Sequence, residues 1–248
     1  MKIMKNFVLV LLLISSLKTV AQDSSDIVPE TSSSSFDLGV DIQSRYIWRG
    51  IQLGGNSSSV QPWAEFSSGA FSIGAWGAYN LGGTSIGNEA DLYISLAISD
   101  ALSFTVTDYF FPTDGNFQGY FPYNAGHVFE GMLSFAGTEG FPIGISVATN
   151  FGGAIKYDDT SDEKSAYSTY VEASYSTTAG DVELGLFAGA VFADDNGYYL
   201  TDGSGLINVG FSASKEIKLS ESFSLPVNAA LILNPDAENI YLTFGFSL

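Results

Sequence analysis

The chain has 248 residues, a formal net charge of −18 and no cysteine. The absence of cysteine excludes a disulfide framework, a thiol nucleophile and a lipoprotein anchor. The strong negative charge argues against nucleic acid as a partner, because the two polyanions would repel each other.

The first residues have the order of a secretory signal peptide. Lys2 and Lys5 precede an apolar run, and the small residue Ala21 ends the segment 1–21. The run is shorter than the roughly 20 apolar residues that a spanning helix needs, so we expect export and cleavage after Ala21. Cleavage removes three lysines and no acid, which moves the formal net charge from −18 to −21. The polar, serine-rich segment 22–35 predicts a flexible periplasmic leader.

Beyond the leader, apolar and polar residues alternate in short segments. A period of two predicts β-strands whose two faces meet different environments. In chain order the predicted strands are 36–49, 59–67, 71–81, 89–98, 102–111, 127–136, 141–151, 166–176, 181–192, 206–219, 223–233 and 239–248.

The connections between these strands alternate in length. Short turns such as 68–70 and 137–140 alternate with long loops such as 112–126 and 193–205. Outer-membrane barrels have short periplasmic turns and longer extracellular loops, whereas a soluble β-sandwich has no reason to sort its loops by end. The sequence therefore predicts an all-β protein, a single up-and-down antiparallel transmembrane β-barrel of about 12 strands over 36–248, in the cell outer membrane.

In most of the predicted strands, the charged residues lie on one face and the apolar residues on the other. A charge facing lipid costs roughly 2 to 4 kcal/mol near the bilayer midplane, so we expect the charges to face the lumen. If the first hairpin is symmetric about Gly55, Arg45 lies opposite Glu65 and forms an ion pair with it. The candidate pore-lining residues are Asp41, Arg45, Arg49, Glu65, Glu89, Asp91, Glu130 and Glu172.

Two charged residues break this sorting. Lys215 has the apolar parity of its strand, but it lies near the periplasmic end, where a long side chain can reach the lipid headgroups. Asp108 lies on the apolar parity of the fifth strand, between Val106 and Phe110. Its position predicts a β-bulge that turns the carboxylate inward.

Several segments carry a resemblance to a known family. The stretch Ser44 to Ile51, followed by Gln61-Pro62 and by Gly74 to Gly77, resembles the opening of the porin family often labelled TorF. The segments Asp108 to Pro112 and His127 to Glu130 also resemble that family. The resemblance is specific over the first third of the chain, and it implies an outer-membrane barrel designated a porin, without an established substrate. Leu248 departs from the terminal Phe that is commoner in outer-membrane proteins.

A barrel of this size predicts a narrow passive channel for small solutes. Barrels of about eight strands are filled by side chains, and those of about 16 to 18 strands leave an open channel. An acid-lined lumen favours cations over anions, although ion pairs that fill the lumen are an equally open interpretation. The expected partners are outer-membrane lipid and lipopolysaccharide, small solutes, and the barrel-assembly machinery through the C-terminal strand.

Two other functions compete with the channel. External loop aromatics could bind a ligand or could fold down and constrict the pore; they are Tyr120, Phe121, Tyr123, Tyr198 and Tyr199. A membrane phospholipase needs a serine and a histidine held together, but His127 is the only histidine and no serine context marks a partner for it. The acidic loop segments 158–163 and 194–195 lack the spacing of a calcium loop. We therefore predict no enzymatic activity, no cofactor and no metal.

Overall fold

The structure, a computed structural model, describes residues 34–83, 87–112, 120–121, 123, 126–157, 163–193 and 198–248. The predicted signal peptide and most of the predicted leader lie outside the described residues, so their boundaries stay predictions. No helix in the described ranges is long and apolar enough to cross a membrane.

Twelve antiparallel strands, each paired with its neighbours in the chain, close into one barrel. This confirms the predicted all-β up-and-down barrel, and the predicted segments coincide with the strands to within a few residues, except in the first. The strands are β1 (Ser34–Gln43), β2 (Ser59–Ser68), β3 (Phe71–Asn80), β4 (Glu89–Ala97), β5 (Leu102–Phe110), β6 (His127–Phe135), β7 (Ile143–Gly152), β8 (Thr169–Ala179), β9 (Val182–Phe192), β10 (Gly205–Lys218), β11 (Ser224–Asn234) and β12 (Asn239–Ser247).

The seam of the barrel lies between β1 and β12. Asp41 lies opposite Ser247 in the register of this pair. Beyond the last paired residue, the backbone amide of Leu248 donates to the Val40 carbonyl at 2.9 Å, and the Val40 amide donates to the Leu248 carbonyl at 3.0 Å. The chain end is therefore part of the closure.

The prediction that the first strand continues to residue 49 is wrong. β1 ends at Gln43, and the chain then forms a small hairpin in which Tyr46–Trp48 pairs with Ile51–Leu53. We call residues 44–58, which connect β1 to β2 through this hairpin, the inner hairpin. The register of β1 and β2 places Asp37 opposite Glu65, so the predicted pairing of Arg45 with Glu65 does not occur.

The predicted bulge at Asp108 is also wrong. Its pairing is regular on both sides, with Leu92 on β4 and with Phe129 on β6, and the side chain stays on the outer face. The Nδ1 atom of His127 lies 2.8 Å from one carboxylate oxygen of Asp108, and the Tyr120 hydroxyl donates to the other at 2.9 Å. These two hydrogen bonds stabilise the Asp108 carboxylate on the outer face, so no β-bulge is needed to turn it into the lumen.

The outer face of the barrel is apolar and the inner face is polar. On β12, Ile240, Leu242 and Phe244 are about two-thirds exposed, whereas Thr243 between them is buried inside. Lys215 lies on the outer face as predicted, with its ammonium 2.7 Å from Asp181 in the adjacent short turn. An apolar band of this kind on a closed barrel is the surface that lipid covers in a transmembrane barrel.

Replacing Leu242 with arginine tests this assignment. We expect the free energy of unfolding to fall by about 2–4 kcal/mol in lipid vesicles, because Leu242 is near the middle of β12 on the outer face. Urea titration of the refolded barrel measures the change. Phe71→Arg, at the short-turn end of β3, is the depth control and should cost about 0–1 kcal/mol. Equal losses in the two variants would contradict a membrane-spanning outer face.

Candidate functional site: the barrel lumen

The inner hairpin crosses the lumen from the β1–β2 side to the wall formed by β10 and β11. Its two-residue turn consists of Arg49 and Gly50, with φ values of 47° and 78°. Two consecutive left-handed residues match the geometry of a tight hairpin turn, and glycine adopts it without steric cost. A Cβ atom on Gly50 would lie 1.8 Å from the Ile207 carbonyl oxygen, and the Asn234 side chain donates to the Gly50 carbonyl at 3.1 Å. The tip of the hairpin therefore contacts the wall formed by β10 and β11 directly.

Arg49 forms an ion pair with Glu130 inside the barrel. Its Nη1 and Nη2 atoms lie 2.5 Å and 2.9 Å from the two carboxylate oxygens of Glu130. The Tyr109 hydroxyl donates to the same carboxylate at 3.0 Å, and Arg49 also donates to the Tyr199 hydroxyl at 2.5 Å. The Glu130 side chain is 1% exposed and that of Arg49 is 12% exposed. Two parallel charge-assisted bonds of this kind bind a guanidinium both strongly and with a defined orientation.

Aromatic rings surround the guanidinium group of Arg49. Its central carbon lies 4.7 Å from the ring centroids of Trp48 and of Tyr170, and 5.9 Å from that of Tyr199. The Trp48 ring stacks on Tyr199 at a centroid distance of 5.3 Å, and Tyr198 meets Trp48 edge to face at 5.7 Å. Tyr198 and Tyr199 therefore fold down into the barrel. Of the two interpretations that the sequence left open for the loop aromatics, ligand binding or constriction of the pore, the position of these two residues matches the second.

The surroundings of Arg49 favour its charged form. Burial is the largest single effect and lowers the pKa of the guanidinium, but Glu130, with smaller contributions from Tyr199 and Tyr109, outweighs it, so the pKa is raised well above its ordinary value. A second carboxylate lies close by on the barrel wall, since Glu172 accepts hydrogen bonds from the Tyr170 hydroxyl at 2.5 Å and from Asn208 at 2.9 Å. The Arg49 guanidinium is thus paired with Glu130 and stacks on Tyr170, whose hydroxyl bonds to the second acid, Glu172.

Two further carboxylates meet at the outer end of β4. Glu89 and Asp91 are both buried on the lumen face. The Tyr46 hydroxyl of the inner hairpin donates to Glu89 at 2.8 Å, and the Tyr46 ring packs against Trp76 at a centroid distance of 5.4 Å. Burial, followed by the charges of Glu89 and Asp91, raises the pKa of Tyr46 well above its ordinary value. Tyr46 therefore stays a neutral donor.

The lumen near the short-turn end has a different lining. Glu65 accepts hydrogen bonds there from the Tyr93 hydroxyl at 2.9 Å and from Ser67 at 3.1 Å. Hydroxyl groups also pair across neighbouring strands, as Ser95 does with Thr105 at 2.9 Å and Ser67 with Ser72 at 3.0 Å. The charged and aromatic cluster is thus confined to the long-loop half of the barrel, where the inner hairpin lies.

Sequence reasoning and the structure agree on where most candidate residues lie. Asp41, Glu65, Glu89, Asp91, Glu130 and Glu172 are on the lumen face of their strands, and Asp41 accepts a hydrogen bond from Ser247. Arg45 and Arg49 belong to the inner hairpin instead of β1, and Arg45 donates to Gln52 and Asn56. Their role in lining a conducting path stays a prediction.

Sequence reasoning missed the aromatic residues that complete the site. Trp48, Tyr109 and Tyr170 fit the alternating pattern of their predicted strands. Nothing in the neighbouring sequence marks them as partners of an arginine. The Arg49-Gly50 dipeptide was a usable signal, because a glycine preceded by a polar residue in an alternating segment is typical of a hairpin turn.

Several buried polar atoms on the lumen face have no protein partner. Among the described residues they are the indole nitrogens of Trp63 and Trp76, one carboxylate oxygen of Asp91, the Ser134 hydroxyl and both amide atoms of Asn150. Leaving such an atom without any partner costs about 1–3 kcal/mol. These atoms therefore favour a lumen that admits water or polar solutes.

In the described ranges, no group of three or more His, Asp or Glu side chains could hold a metal ion. The acidic loop residues Asp158, Asp159, Asp162, Asp194 and Asp195 lie outside the described residues, so the prediction that they hold no calcium stays a prediction.

The comparisons with known proteins do not assign the chain to a family. No protein-family model matches, and no curated protein matches. Among solved structures, a NanC porin is 8% identical, with a TM-score of 0.49 over 85% of this chain and 98% of that chain. An anion-selective porin from Comamonas acidovorans is 12% identical, with a TM-score of 0.28 over 87% of this chain and 98% of that chain. Membership of the TorF family is not confirmed.

Gly50→Ala tests how the inner hairpin docks. The new methyl group would clash with Ile207, so we expect the hairpin to leave the lumen and trypsin to cleave after Arg49 in the refolded barrel. Gly55→Ala is the matched control, because Gly55 also has a positive φ but no atom lies within 4 Å of where its methyl group would stand. Both variants carry the left-handed strain of about 1–2 kcal/mol, so cleavage of Gly50→Ala alone isolates the clash. Resistance of both variants would contradict the docked hairpin.

Proposed function

We propose that the protein is a porin-like barrel of the outer membrane that acts as a narrow passive channel for small solutes. The observation that carries this proposal is the closed ring of twelve strands, apolar outside and polar inside, around a lumen that the inner hairpin narrows. Such a barrel separates solutes from lipid along its whole length, which is the physical requirement for passive conduction.

The finer parts of the proposal rest on the sequence. They are export by a signal peptide at 1–21, membership of the TorF-type porins, and partners that include outer-membrane lipid, lipopolysaccharide and the barrel-assembly machinery. The order of basic, apolar and small residues in 1–21 supports export, and the resemblance of Ser44 to Ile51 and of Gly74 to Gly77 supports the family. The apolar outer face supports the lipid partners.

A non-enzymatic role belongs to the same proposal. The two ring nitrogens of His127 lie 2.8 Å from Asp108 and 2.9 Å from the Tyr120 carbonyl oxygen. Both nitrogens are therefore engaged, and neither is left to activate a serine hydroxyl as a phospholipase would require.

The inner hairpin should set the bore. We expect replacement of residues 44–58 by a short glycine–serine turn to raise the single-channel conductance in planar bilayers, because the replacement removes Trp48, Arg49 and Tyr46 from the lumen. Gly55→Ala serves as the control and should conduct like the parent barrel. If the parent and the hairpin-less barrel are both silent after refolding, the channel proposal fails.

We also propose a preference for cations. Asp41, Glu65, Glu89, Asp91, Glu130 and Glu172 face a lumen whose central cation, Arg49, is already paired with Glu130. Excess negative charge along a narrow path concentrates cations and repels anions.

Removing two of these acids tests the preference. We expect Glu89→Gln combined with Asp91→Asn to move the reversal potential in a KCl gradient toward that of an unselective pore. The control Glu221→Gln combined with Glu238→Gln removes the same charge from exposed turns and should leave the reversal potential nearly unchanged. Equal shifts in both pairs would count against a selectivity set inside the lumen.

A further inference from the structure

The pocket that holds Arg49 is built mostly by the barrel wall. Glu130 is on β6, Tyr109 is on β5 and Tyr170 is on β8, while Tyr199 precedes β10. Trp48 is the one ring around the guanidinium that comes from the inner hairpin itself. The wall residues are therefore arranged around a cation that a different part of the chain supplies.

The arrangement is specific for a flat, forked cation. Both carboxylate oxygens of Glu130 accept from different guanidinium nitrogens, at 2.5 Å and 2.9 Å, and the Tyr170 ring lies 4.7 Å from the guanidinium carbon. A guanidinium matches a carboxylate with two parallel bonds and stacks on aromatic faces, whereas an ammonium is a compact and more strongly hydrated charge. The pocket has the chemistry of a guanidinium receptor that is occupied by the protein's own side chain.

We propose that this pocket is a binding site for solutes that carry a guanidinium group, and that such a solute enters by displacing Arg49. This inference rests on the proposed channel function, because it names the class of solute. Arg49 then acts as an internal competitor, and its release frees the inner hairpin from its strongest polar contact with the wall.

Competition between Arg49 and a free solute predicts how solute binding changes when Arg49 is removed. The inner hairpin is joined to β1 and β2 at its two ends and holds Arg49 beside the pocket. The effective concentration of the Arg49 guanidinium in the pocket is therefore on the order of millimolar or higher. A free solute binds weakly to the native barrel, and binding tightens when Arg49 is removed. Removing Arg49 also leaves Glu130 buried without its cation, which favours capture of a replacement.

The experiment measures methylguanidinium binding to the refolded full-length barrel in detergent by isothermal titration calorimetry. We expect Arg49→Ala to bind methylguanidinium roughly a hundredfold more tightly than the parent barrel. Adding Glu130→Gln to Arg49→Ala should abolish the gain, and methylammonium should bind the single variant more weakly than methylguanidinium. Arg45→Ala is the matched control, because Arg45 is the other arginine of the inner hairpin and its hydrogen bonds go to Gln52 and Asn56 within the hairpin.

The outcomes separate this inference from the channel function. Equal binding by the Arg49→Ala and Arg45→Ala barrels, or a gain that persists with Glu130→Gln, overturns the receptor site whether or not the barrel conducts. A barrel that is silent in bilayers yet shows the expected binding overturns the channel and keeps the site. Arg49→Met, which retains the stem of the side chain without its charge, is the second variant if Arg49→Ala does not refold. Heat-modifiable gel mobility verifies that each barrel is closed.

Discussion

The need to satisfy every backbone hydrogen bond in hydrocarbon is the constraint on which the rest of this structure depends. An open sheet would leave unpaired amides and carbonyls at its edges, which lipid cannot solvate, so the strands must form a ring. The ring closes where β1 meets β12, with Val40 and Leu248 exchanging backbone hydrogen bonds. Closure then divides the side chains of every strand between lipid and lumen. Apolar residues dominate the first environment, where Asp108 and Lys215 are exceptions near the two rims, and most of the acids of the strands face the second.

Inside the barrel, buried carboxylates that water reaches poorly must be stabilised by other groups of the protein. Glu130 is almost fully buried, and a lone carboxylate there would cost several kcal/mol. The Arg49 guanidinium and the Tyr109 hydroxyl bind that carboxylate, and the aromatic faces of Trp48 and Tyr170 stack on the guanidinium. The same inner hairpin presents Tyr46 to Glu89, so one segment of the chain serves two acidic clusters on different strands. The inner hairpin therefore both narrows the lumen and pairs one of its buried carboxylates with a cation.

Most of the fold was predictable, because alternation along a strand is a local property that lipid and water impose on each residue separately. The inner hairpin was not predicted, since Tyr46 and Trp48 continue the alternation of β1 and only the Arg49-Gly50 turn marks the reversal. Asp108 was assigned the wrong face for a related reason. Its partners His127 and Tyr120 are distant in sequence, and no local pattern shows that they can stabilise an outward carboxylate. Of the site, the acids were predictable from parity, but the ring partners of Arg49 depend on which strands face each other across the lumen.

The position of the inner hairpin beside the seam has a consequence for assembly. The hairpin follows β1 directly, and β1 shares only a short paired segment with β12, from Asp41 to Gln43. Once that segment is paired, a bulky strand pair carrying Trp48 and Arg49 has no lateral route from the bilayer into the interior. In the closed barrel the hairpin can therefore enter or leave the lumen only through the long-loop end, so its docking in the lumen can follow closure of the ring.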